Sequence, residues 1–311
     1  MAQLTGNTKK SASDFNMYKR FFAFGCSFTE YIWSTWADII AYSYPNAEYY
    51  NFGKAGGSNQ IIFSRLMEAD EQYGFNKDDL IIVQWTSVNR ESRWKDGYWR
   101  GGGGNIYQFN TQYPKEFVEN WTHPTDYLIK DLAAIKAVNA VLKASQCTYF
   151  NICMVSINNI DSFNKKNIEQ SSLQAIINGY KTIYKDIRPS FGKILFESKN
   201  WAAKVSRPLS MRYDFSTLER KEVLRMDDHP TPKEHLEYVK KVLPEITLAQ
   251  DVDIIAEKET EIILPGPNRE ADVPLTSLFG NRSDPKRPRD SFFFYKRLKD
   301  VPPENIAPNI H

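Results

Sequence analysis

The sequence contains few of the residues that build disulfide frameworks and metal sites. Only 3 of its 311 residues are cysteine and only 4 are histidine. Cys147 and Cys153 fall on one predicted strand, about 20 Å apart at 3.3 Å per residue, which is too far for a disulfide. No cysteine lies at zinc-finger spacing from a histidine. We therefore expect free thiols in a reducing compartment and no metal.

Long apolar runs and an excess of one charge are also missing. No stretch of about 18 apolar residues could span a membrane, and the first residues lack the apolar core of a signal peptide. The 40 Lys and Arg are balanced by 38 Asp and Glu, so no bulk charge attracts the chain to nucleic acid or anionic lipid. We expect a soluble protein, made in the cytoplasm without a signal peptide, with no nucleic-acid or membrane partner.

Aromatic residues are plentiful, at 14% of the sequence, which excludes disorder over the whole chain. Short apolar runs at residues 21–25, 48–52 and 79–85 alternate with amphipathic segments at residues 29–44 and 59–73. The same pattern continues with a helix near residues 125–144, a strand at 148–157, a helix near 170–187, a strand at 193–197 and a final helix near 232–242. This alternation predicts a doubly wound α/β domain with a parallel sheet.

Composition divides the chain into three parts. Residues 1–18 form a loose, polar segment, residues 19–248 form the α/β domain, and residues 249–311 form a C-terminal extension, expected to be extended and partner-binding. Within it, the acidic stretch 251–264 should lie on the domain. Prolines deny backbone donors to residues 265–311, and an aromatic cluster there is too apolar to stay in water. We expect this tail to bind a second copy of the chain or a virion partner.

The first candidate for chemistry is Ser27, in the motif Gly-Cys-Ser that ends the first predicted strand and opens a predicted helix. Helical N–H groups pointing outward at such a turn could stabilise the oxyanion of an attacked carbonyl. The alternative is that Ser27 only caps the helix. These residues alone do not separate the two interpretations.

The second candidate is His229, which follows Asp227 and Asp228 near the end of the predicted domain. A histidine beside carboxylates supplies a base that titrates near neutral pH and an acid that orients it, which a serine nucleophile needs. One alternative is an acidic turn that caps the last helix. Another is a metal site that includes His235, although no further ligand motif accompanies it.

Together these motifs resemble the four blocks of the SGNH (GDSL-like) hydrolases. The resemblance covers residues 20–243 and rests on four stretches in chain order: GCSFT from Gly25, NFGKAGGSN from Asn51, WTSVNR from Trp85 and DDHPTPKEH from Asp227. It implies a flavodoxin-like three-layer α/β sandwich and the cleavage of esters or thioesters, often acetyl groups on carbohydrates. It implies no cofactor.

The resemblance also implies a role for each matching residue. Ser27 would be the nucleophile, His229 the base and Asp227 the residue that orients it. The oxyanion would be bound by the backbone N–H of Ser27, by Gly56 and by Asn89. His235, six positions after His229, would begin a helix without taking part in catalysis.

The chain departs from the family pattern at three places. Cys26 stands where the family has an acidic residue, which leaves the serine in place. WTSVNR lacks the glycine that precedes the family's asparagine, so Thr86 or Ser87 could replace Asn89 as the donor.

The third departure concerns the acid of the triad. The family's acid lies three positions before the histidine, where this chain has Met226. Asp227 would therefore have to orient His229 from a different turn, and Asp228 is the alternative.

An aromatic-rich insertion at residues 90–124 follows the third predicted strand. Its rings include Trp94, Tyr98 and Trp99, which could line a substrate groove because flat aromatic faces pack against sugars and acyl chains. The alternative is a satellite core under a long loop.

These residues lead to two hypotheses for function. The first is a serine esterase that hydrolyses small acyl esters, with O-acetylated glycans as the favoured substrates. The second is a structural or adhesive virion component that keeps the fold with little or no activity. Its support is the tail at residues 251–311, which has the composition of a partner-binding segment, and the weakened third block. The motif Gly-Cys-Ser-Phe-Thr also resembles those of phage and environmental bacterial genomes.

Overall fold

The computed structural model describes residues 17–31, 33–95, 98–100, 105–107, 113–157, 170–196, 207–209, 225–227 and 229–263. Within them lies a parallel sheet of four strands with helices on both faces. The predicted α/β fold with a parallel sheet is therefore confirmed. The predictions for residues 1–16 and 264–311, which include most of the tail, lie outside the described residues.

The four strands of the sheet are parallel and run in the spatial order β2-β1-β3-β6. Their bounds are β1 Arg20–Gly25, β2 Glu48–Gly53, β3 Asp79–Trp85 and β6 Thr148–Cys153. In register, Phe22 of β1 stands opposite Tyr50 of β2 and Ile81 of β3. This order matches the first four positions of the flavodoxin-like arrangement. Every residue of β3 is buried, as expected for a strand covered on both faces.

Alternate side chains of the strands enter two separate cores. Phe22 and Phe24 face one side, where they pack with apolar residues of α2 (Asn59–Tyr73) and α4 (Pro124–Ala144). Phe21 and Ala23 face the other side, with α1 (Trp36–Ser43) and α8 (Pro232–Val242). The sheet is thus the middle layer of three.

The other elements are shorter. They are the antiparallel hairpin β4 (Arg93–Lys95) and β5 (Tyr98–Arg100), α3 (Lys115–Trp121), α5 (Gln170–Gly179), α6 (Lys181–Asp186), α7 (Phe191–Phe196), the antiparallel pair β7 (Arg207–Leu209) and β8 (Arg225–Asp227), and α9 (Val252–Ile263).

Four predicted elements differ from the structure. The strand predicted at 148–157 ends at Cys153. The helix predicted from residue 29 begins only at Trp36, where Thr35 and Asp38 form a capping box. The strand predicted at 193–197 is wrong, because α7 covers most of it. The helix predicted near 170–187 is two helices, which meet at Tyr180.

The expectation of an extended chain from residue 249 is wrong over Val252–Ile263, which is helix α9. Val252 and Ala256 are buried against Ile39 and Tyr42 of α1 and Leu236 of α8. The hydroxyl of Tyr42 also donates to Asp251 at 2.5 Å. The acidic stretch therefore packs against the domain as a helix.

None of the described helices combines the length and the apolar character needed to cross a membrane.

The turn after β1 depends on a glycine at position 25. A Cβ atom there would lie 2.0 Å from Thr29 Oγ1 and 2.9 Å from Gln84 Oε1, and these two atoms hydrogen-bond each other at 2.7 Å. We expect Gly25→Ala to lower the free energy of unfolding by about 1–3 kcal/mol, since both buried groups would have to shift. Urea unfolding measures the change.

The matched control is Gly179→Ala at the end of α5, where an added Cβ meets no atom within 4 Å. This variant should change the free energy of unfolding by less than about 1 kcal/mol, in the stabilising direction, because alanine favours helix over glycine. Equal losses in the two variants would contradict the steric explanation.

Candidate active site

The predicted site residues of the first three motifs follow strands that end at one edge of the sheet. The strands are parallel, so their carboxyl ends lie together, and ligands of open α/β sheets bind at this edge. The loops after β1, β2 and β3 carry Ser27, Gly56 and Asn89 respectively. The fold therefore places these three residues on neighbouring loops.

Ser27 lies in a tight turn directly after β1. The Cys26 carbonyl accepts hydrogen bonds from the N–H groups of Thr29 and Glu30, at 3.0 and 3.2 Å. Since the N-cap of the next helix is Thr35, Ser27 does not cap a helix. Ser27 is 7% exposed, and neither its hydroxyl nor its N–H has a partner among the described residues.

The loop after β2 is bound to the loop after β1. The Asn51 amide donates to the Thr29 carbonyl at 3.0 Å, and the N–H of Lys54 donates to the Gly25 carbonyl at 3.0 Å. Gly56 has φ +69°, a left-handed conformation that favours glycine. Its N–H has no partner in the described part of the chain.

Asn89, in the loop after β3, is 1% exposed. Its backbone is engaged, because its carbonyl accepts from Ile106 N–H at 2.8 Å and its N–H donates to Ser87 Oγ at 3.4 Å. Its side-chain amide makes no hydrogen bond with any described residue, and Oδ1 is fully buried. A buried amide without partners is rare in proteins and often marks a functional group.

The backbone N–H and carbonyl of Thr86, the alternative donor, are both hydrogen-bonded to the side chain of Asn59. Asn59 accepts from the Thr86 N–H at 2.7 Å and donates to its carbonyl at 3.1 Å. The Asn59 amide also donates to Asp131 of α4 at 2.7 Å, and burial raises the pKa of Asp131 well above its usual range. Asn59 thereby ties the end of β3 to α2 and α4.

His229 lies against the loop that carries Ser27. Its imidazole stacks on the Tyr31 ring, with centroids 3.8 Å apart and planes 16° from parallel. The ring of Phe28, the neighbour of Ser27, is 5.4 Å away in an edge contact. Trp33 Nε1 donates to the Pro230 carbonyl at 2.8 Å. These contacts bring the fourth motif to the first.

The described residues show no hydrogen bond between the nucleophile and the base of the predicted triad. The Ser27 hydroxyl makes none to His229, which instead faces Tyr31. Asp227 ends β8, in backbone register with Arg207 of β7. The position of its side chain and the whole of Asp228 lie outside the described residues, so the orienting role of either acid stays a prediction.

His235 is buried in the first turn of α8. Its ring makes edge contacts with Phe28 and Phe191, at 6.1 and 5.3 Å between centroids, and neither ring nitrogen has a partner among the described residues. Burial, and secondarily the nearby His229, lower the pKa of His235 to about 3. His235 is therefore neutral at physiological pH.

This burial predicts acid sensitivity. An unfolded chain protonates His235 below the ordinary histidine pKa of 6.5, whereas the folded protein takes up this proton only near pH 3. The free energy of unfolding should therefore fall by about 1.4 kcal/mol for each pH unit below 6.5. Urea unfolding at pH 7, 6 and 5 measures this slope. In His235→Leu the slope should be shallower by that amount, whereas in His123→Ser, at the exposed cap of α4, it should persist.

Comparisons with known proteins find distant similarity in structure only. No family model and no curated protein sequence matches the chain. A solved member of the lipolytic protein G-D-S-L family from Veillonella parvula is 14% identical, with a TM-score of 0.36, over 71% of this chain and 94% of the other. A solved GDSL-like lipase from Bacteroides thetaiotaomicron is 12% identical, with a TM-score of 0.33, over 73% and 86%. The function proposed below rests on the residues of this chain.

The aromatic insertion is attached to the candidate site. Ile106 bonds the Asn89 carbonyl, and Ser92 Oγ accepts from the N–H of Ser58, close to Gly56, at 3.3 Å. In the β4–β5 hairpin, Trp94 and Trp99 are opposite each other and half-buried, with their rings edge to face at 6.0 Å. Of Tyr98 the structure describes the backbone alone. Substrate binding by these three residues stays a prediction.

One other cleft offers no competing site. It has a volume of about 590 Å³ and lies at the opposite edge of the sheet, where the strands begin. Four of its charged groups form two ion pairs, Arg20 with Asp79 at 2.7 Å and Lys19 with Asp78. Within the described ranges, no three potential metal ligands come together.

Some residues that build the site were not predicted from the sequence. Tyr31 and Trp33 hold His229 and Pro230, and Gln84 of β3 accepts from Thr29 in the turn that carries Ser27. A glutamine inside an otherwise apolar strand is the one signal that could have revealed the last contact, since a buried amide needs a partner.

Proposed function

We propose that the protein is a serine esterase of small acyl esters, with Ser27 as nucleophile and His229 as base. The contact that carries this proposal is the stacking of His229 on Tyr31 and beside Phe28, the neighbour of Ser27. The two motifs are about 200 positions apart in the sequence. A serine nucleophile and a histidine base are the reacting pair of a catalytic triad, and this contact between their motifs supports the assignment.

In this mechanism the Ser27 Oγ attacks the ester carbonyl while His229 takes the hydroxyl proton. The tetrahedral intermediate expels the alcohol, which receives that proton from the imidazolium. Water, deprotonated by His229, then attacks the acyl-serine, and the Ser27 oxygen takes that proton back from the imidazolium as the acid is released. Asp227, or alternatively Asp228, would orient the imidazole and stabilise its charged form.

Three hydrogen-bond donors would bind the oxyanion. The N–H groups of Ser27 and Gly56 have no acceptor among the described residues, and neither has the Asn89 amide. A transition-state oxyanion would supply the acceptor that all three lack. Donors held ready in this way stabilise charge that develops only during the reaction.

The imidazole would have to turn from Tyr31 toward Ser27 for catalysis. Catalytic hydrogen bonds are often long or absent in a free enzyme and tighten when substrate is bound. The stacked position keeps His229 beside the nucleophile loop until that change.

We also propose O-acetylated glycans as the substrate class. The support is the half-buried pair Trp94 and Trp99, in a hairpin that starts shortly after Asn89. Aromatic faces of this kind pack well on sugar rings. Tyr98 belongs to the same proposed binding surface by its place in the hairpin.

A panel of 4-nitrophenyl esters of increasing acyl length, together with acetylated sugars, tests the proposal. We expect hydrolysis that is fastest for short acyl groups, and a single fluorophosphonate adduct on the peptide that contains Ser27. Absence of both turnover and labelling would reject the esterase function.

The rival hypothesis is a virion component of phage origin that keeps the fold with little or no activity. It depends on the tail at residues 251–311 and on the weakened third block. Residues 264–311 lie outside the described residues, and no contact in the described part favours that function.

A further inference from the structure

Arg90 follows Asn89 directly at the candidate site. One of its terminal nitrogens donates to the carbonyl of Gly57, the neighbour of Gly56, at 3.2 Å. The other lies 3.6 Å from the sulfur of Met154, at the end of β6. The same sulfur is 3.8 Å from the thiol of Cys26, the neighbour of Ser27. The guanidinium therefore lies beside the floor of the proposed site.

The other arginines whose side chains the structure describes have strong partners. Arg20 pairs with Asp79 at 2.7 Å, Arg93 with Glu91 at 3.2 Å, and Arg188 with Glu245 at 2.6 Å. Arg65, which is buried, donates to two backbone carbonyls at 2.8 Å. In contrast, no carboxylate pairs with Arg90 in the described part of the chain.

The contacts of Arg90 leave most of its hydrogen-bonding capacity unused. A guanidinium has five N–H donors. That of Arg90 makes two described contacts, one with a neutral carbonyl and one with a weakly accepting thioether. The side chain is half-buried, so its charge is partly removed from water. A carboxylate can take two parallel hydrogen bonds from such a group, and these bonds are stronger than neutral ones.

We propose that Arg90 binds a carboxylate on the substrate, so that the preferred esters are anionic. This inference rests on the proposed esterase function and names its substrate class: acyl esters that carry a carboxylate, either on the acyl group or on the alcohol. Arg90 is then a specificity-determining residue beside the oxyanion donors Gly56 and Asn89.

Two pairs of esters that differ only in one charge test this proposal. The first pair is 4-nitrophenyl hemisuccinate and its methyl ester, with the carboxylate on the acyl group. The second is 4-acetoxybenzoate and its methyl ester, with the carboxylate on the alcohol. We compare kcat/KM, corrected for uncatalysed hydrolysis, in the wild type, Arg90→Met, Arg90→Lys and Arg93→Met.

In the wild type, at least one anionic ester should be hydrolysed about 10- to 100-fold more efficiently than its methyl ester. Arg90→Met should abolish this preference, so that the two esters of each pair are hydrolysed with the same efficiency. Arg90→Lys should keep part of it, because lysine retains the charge without the bidentate geometry. Arg93→Met should keep the whole preference, because the Arg93 guanidinium is paired with Glu91 and lies over Phe117.

The outcomes separate this proposal from the esterase function. If esters are hydrolysed without charge preference, or if Arg90→Met retains the preference, Arg90 does not bind substrate and the esterase function stands. If no ester is hydrolysed, ligand-observed NMR of succinate and 4-hydroxybenzoate decides whether Arg90 binds carboxylates. Binding that Arg90→Met loses and Arg93→Met keeps supports the carboxylate site. No binding to the wild type, or equal binding to both variants, overturns it.

Discussion

Replacing Ser27 by alanine is expected to lower kcat for ester hydrolysis by about 10³-fold or more, because the acyl group then has no atom to which it can be transferred. The change should leave the fold intact. Ser27 Oγ makes no hydrogen bond with the described residues, and the turn is held by the Cys26 carbonyl and by Thr29. Initial rates on a short-chain 4-nitrophenyl ester and a thermal unfolding curve measure the two effects.

Ser145→Ala is the matched control. Ser145 ends α4, far in sequence from the site, and its hydroxyl donates to the Val141 carbonyl at 2.9 Å. It should keep the wild-type rate and the fluorophosphonate adduct, both of which Ser27→Ala loses. An alanine variant at position 27 with an unchanged rate would remove Ser27 from the mechanism.

His229→Ala should be as damaging as Ser27→Ala, because without the base the serine hydroxyl is a weak nucleophile at neutral pH. The double variant should be no slower than either single one, since the two residues act as a unit. Rates of the three variants, measured between pH 5 and 9, test this.

Replacing the carboxylate that is proposed to orient His229 gives a second test of the role of this histidine. Asp227→Asn should reduce the rate less than loss of His229, because the acid orients the base and does not itself transfer the proton. If Asp228→Asn is the more harmful of the two, the orienting role moves to Asp228. A wild-type rate in His229→Ala would contradict the whole assignment.

The sheet was predictable because buried parallel strands are continuous apolar runs. Residues 79–85, DLIIVQW, form β3 with the predicted bounds, and β1 and β2 lie within one residue of theirs. The strand predicted at residues 193–197 is wrong, because a short apolar run fits a buried helix as well as a strand. The structure places α7 there, with Phe191 buried in the core.

The predicted start of α1 is wrong for a physical reason that also explains the site. The apolar residues from Tyr31 to Ile40 recur at near-helical spacing, yet Tyr31 packs on His229 and Trp36 packs in the core. Aromatic residues that make long-range contacts can imitate helical periodicity. The motifs of Ser27 and His229 could be found from the sequence, but the rings that join them could not.

Helix α9 could not be predicted from the composition of its segment. Residues 251–264 are acidic, which suggested a surface stretch, but Val252, Ala256 and Glu259 recur at helical spacing and are all buried. Glu259 accepts from the N–H of Ser34 at 2.8 Å, in the loop that leads to α1. A buried glutamate within an acidic run cannot be told from an exposed one by counting charges.

The bond from Trp33 to Pro230 joins positions 197 apart in the sequence, and Glu259 reaches back further still to Ser34. A ribosome adds roughly 5–20 residues per second, so the two partners of each bond leave it at well-separated times. The nucleophile turn must therefore wait for about ten seconds or more before the histidine segment emerges. During translation the nascent chain presents Trp33 without its acceptor and Ser27 without its proposed base. In the proposed mechanism it becomes active only when α8 and α9 dock.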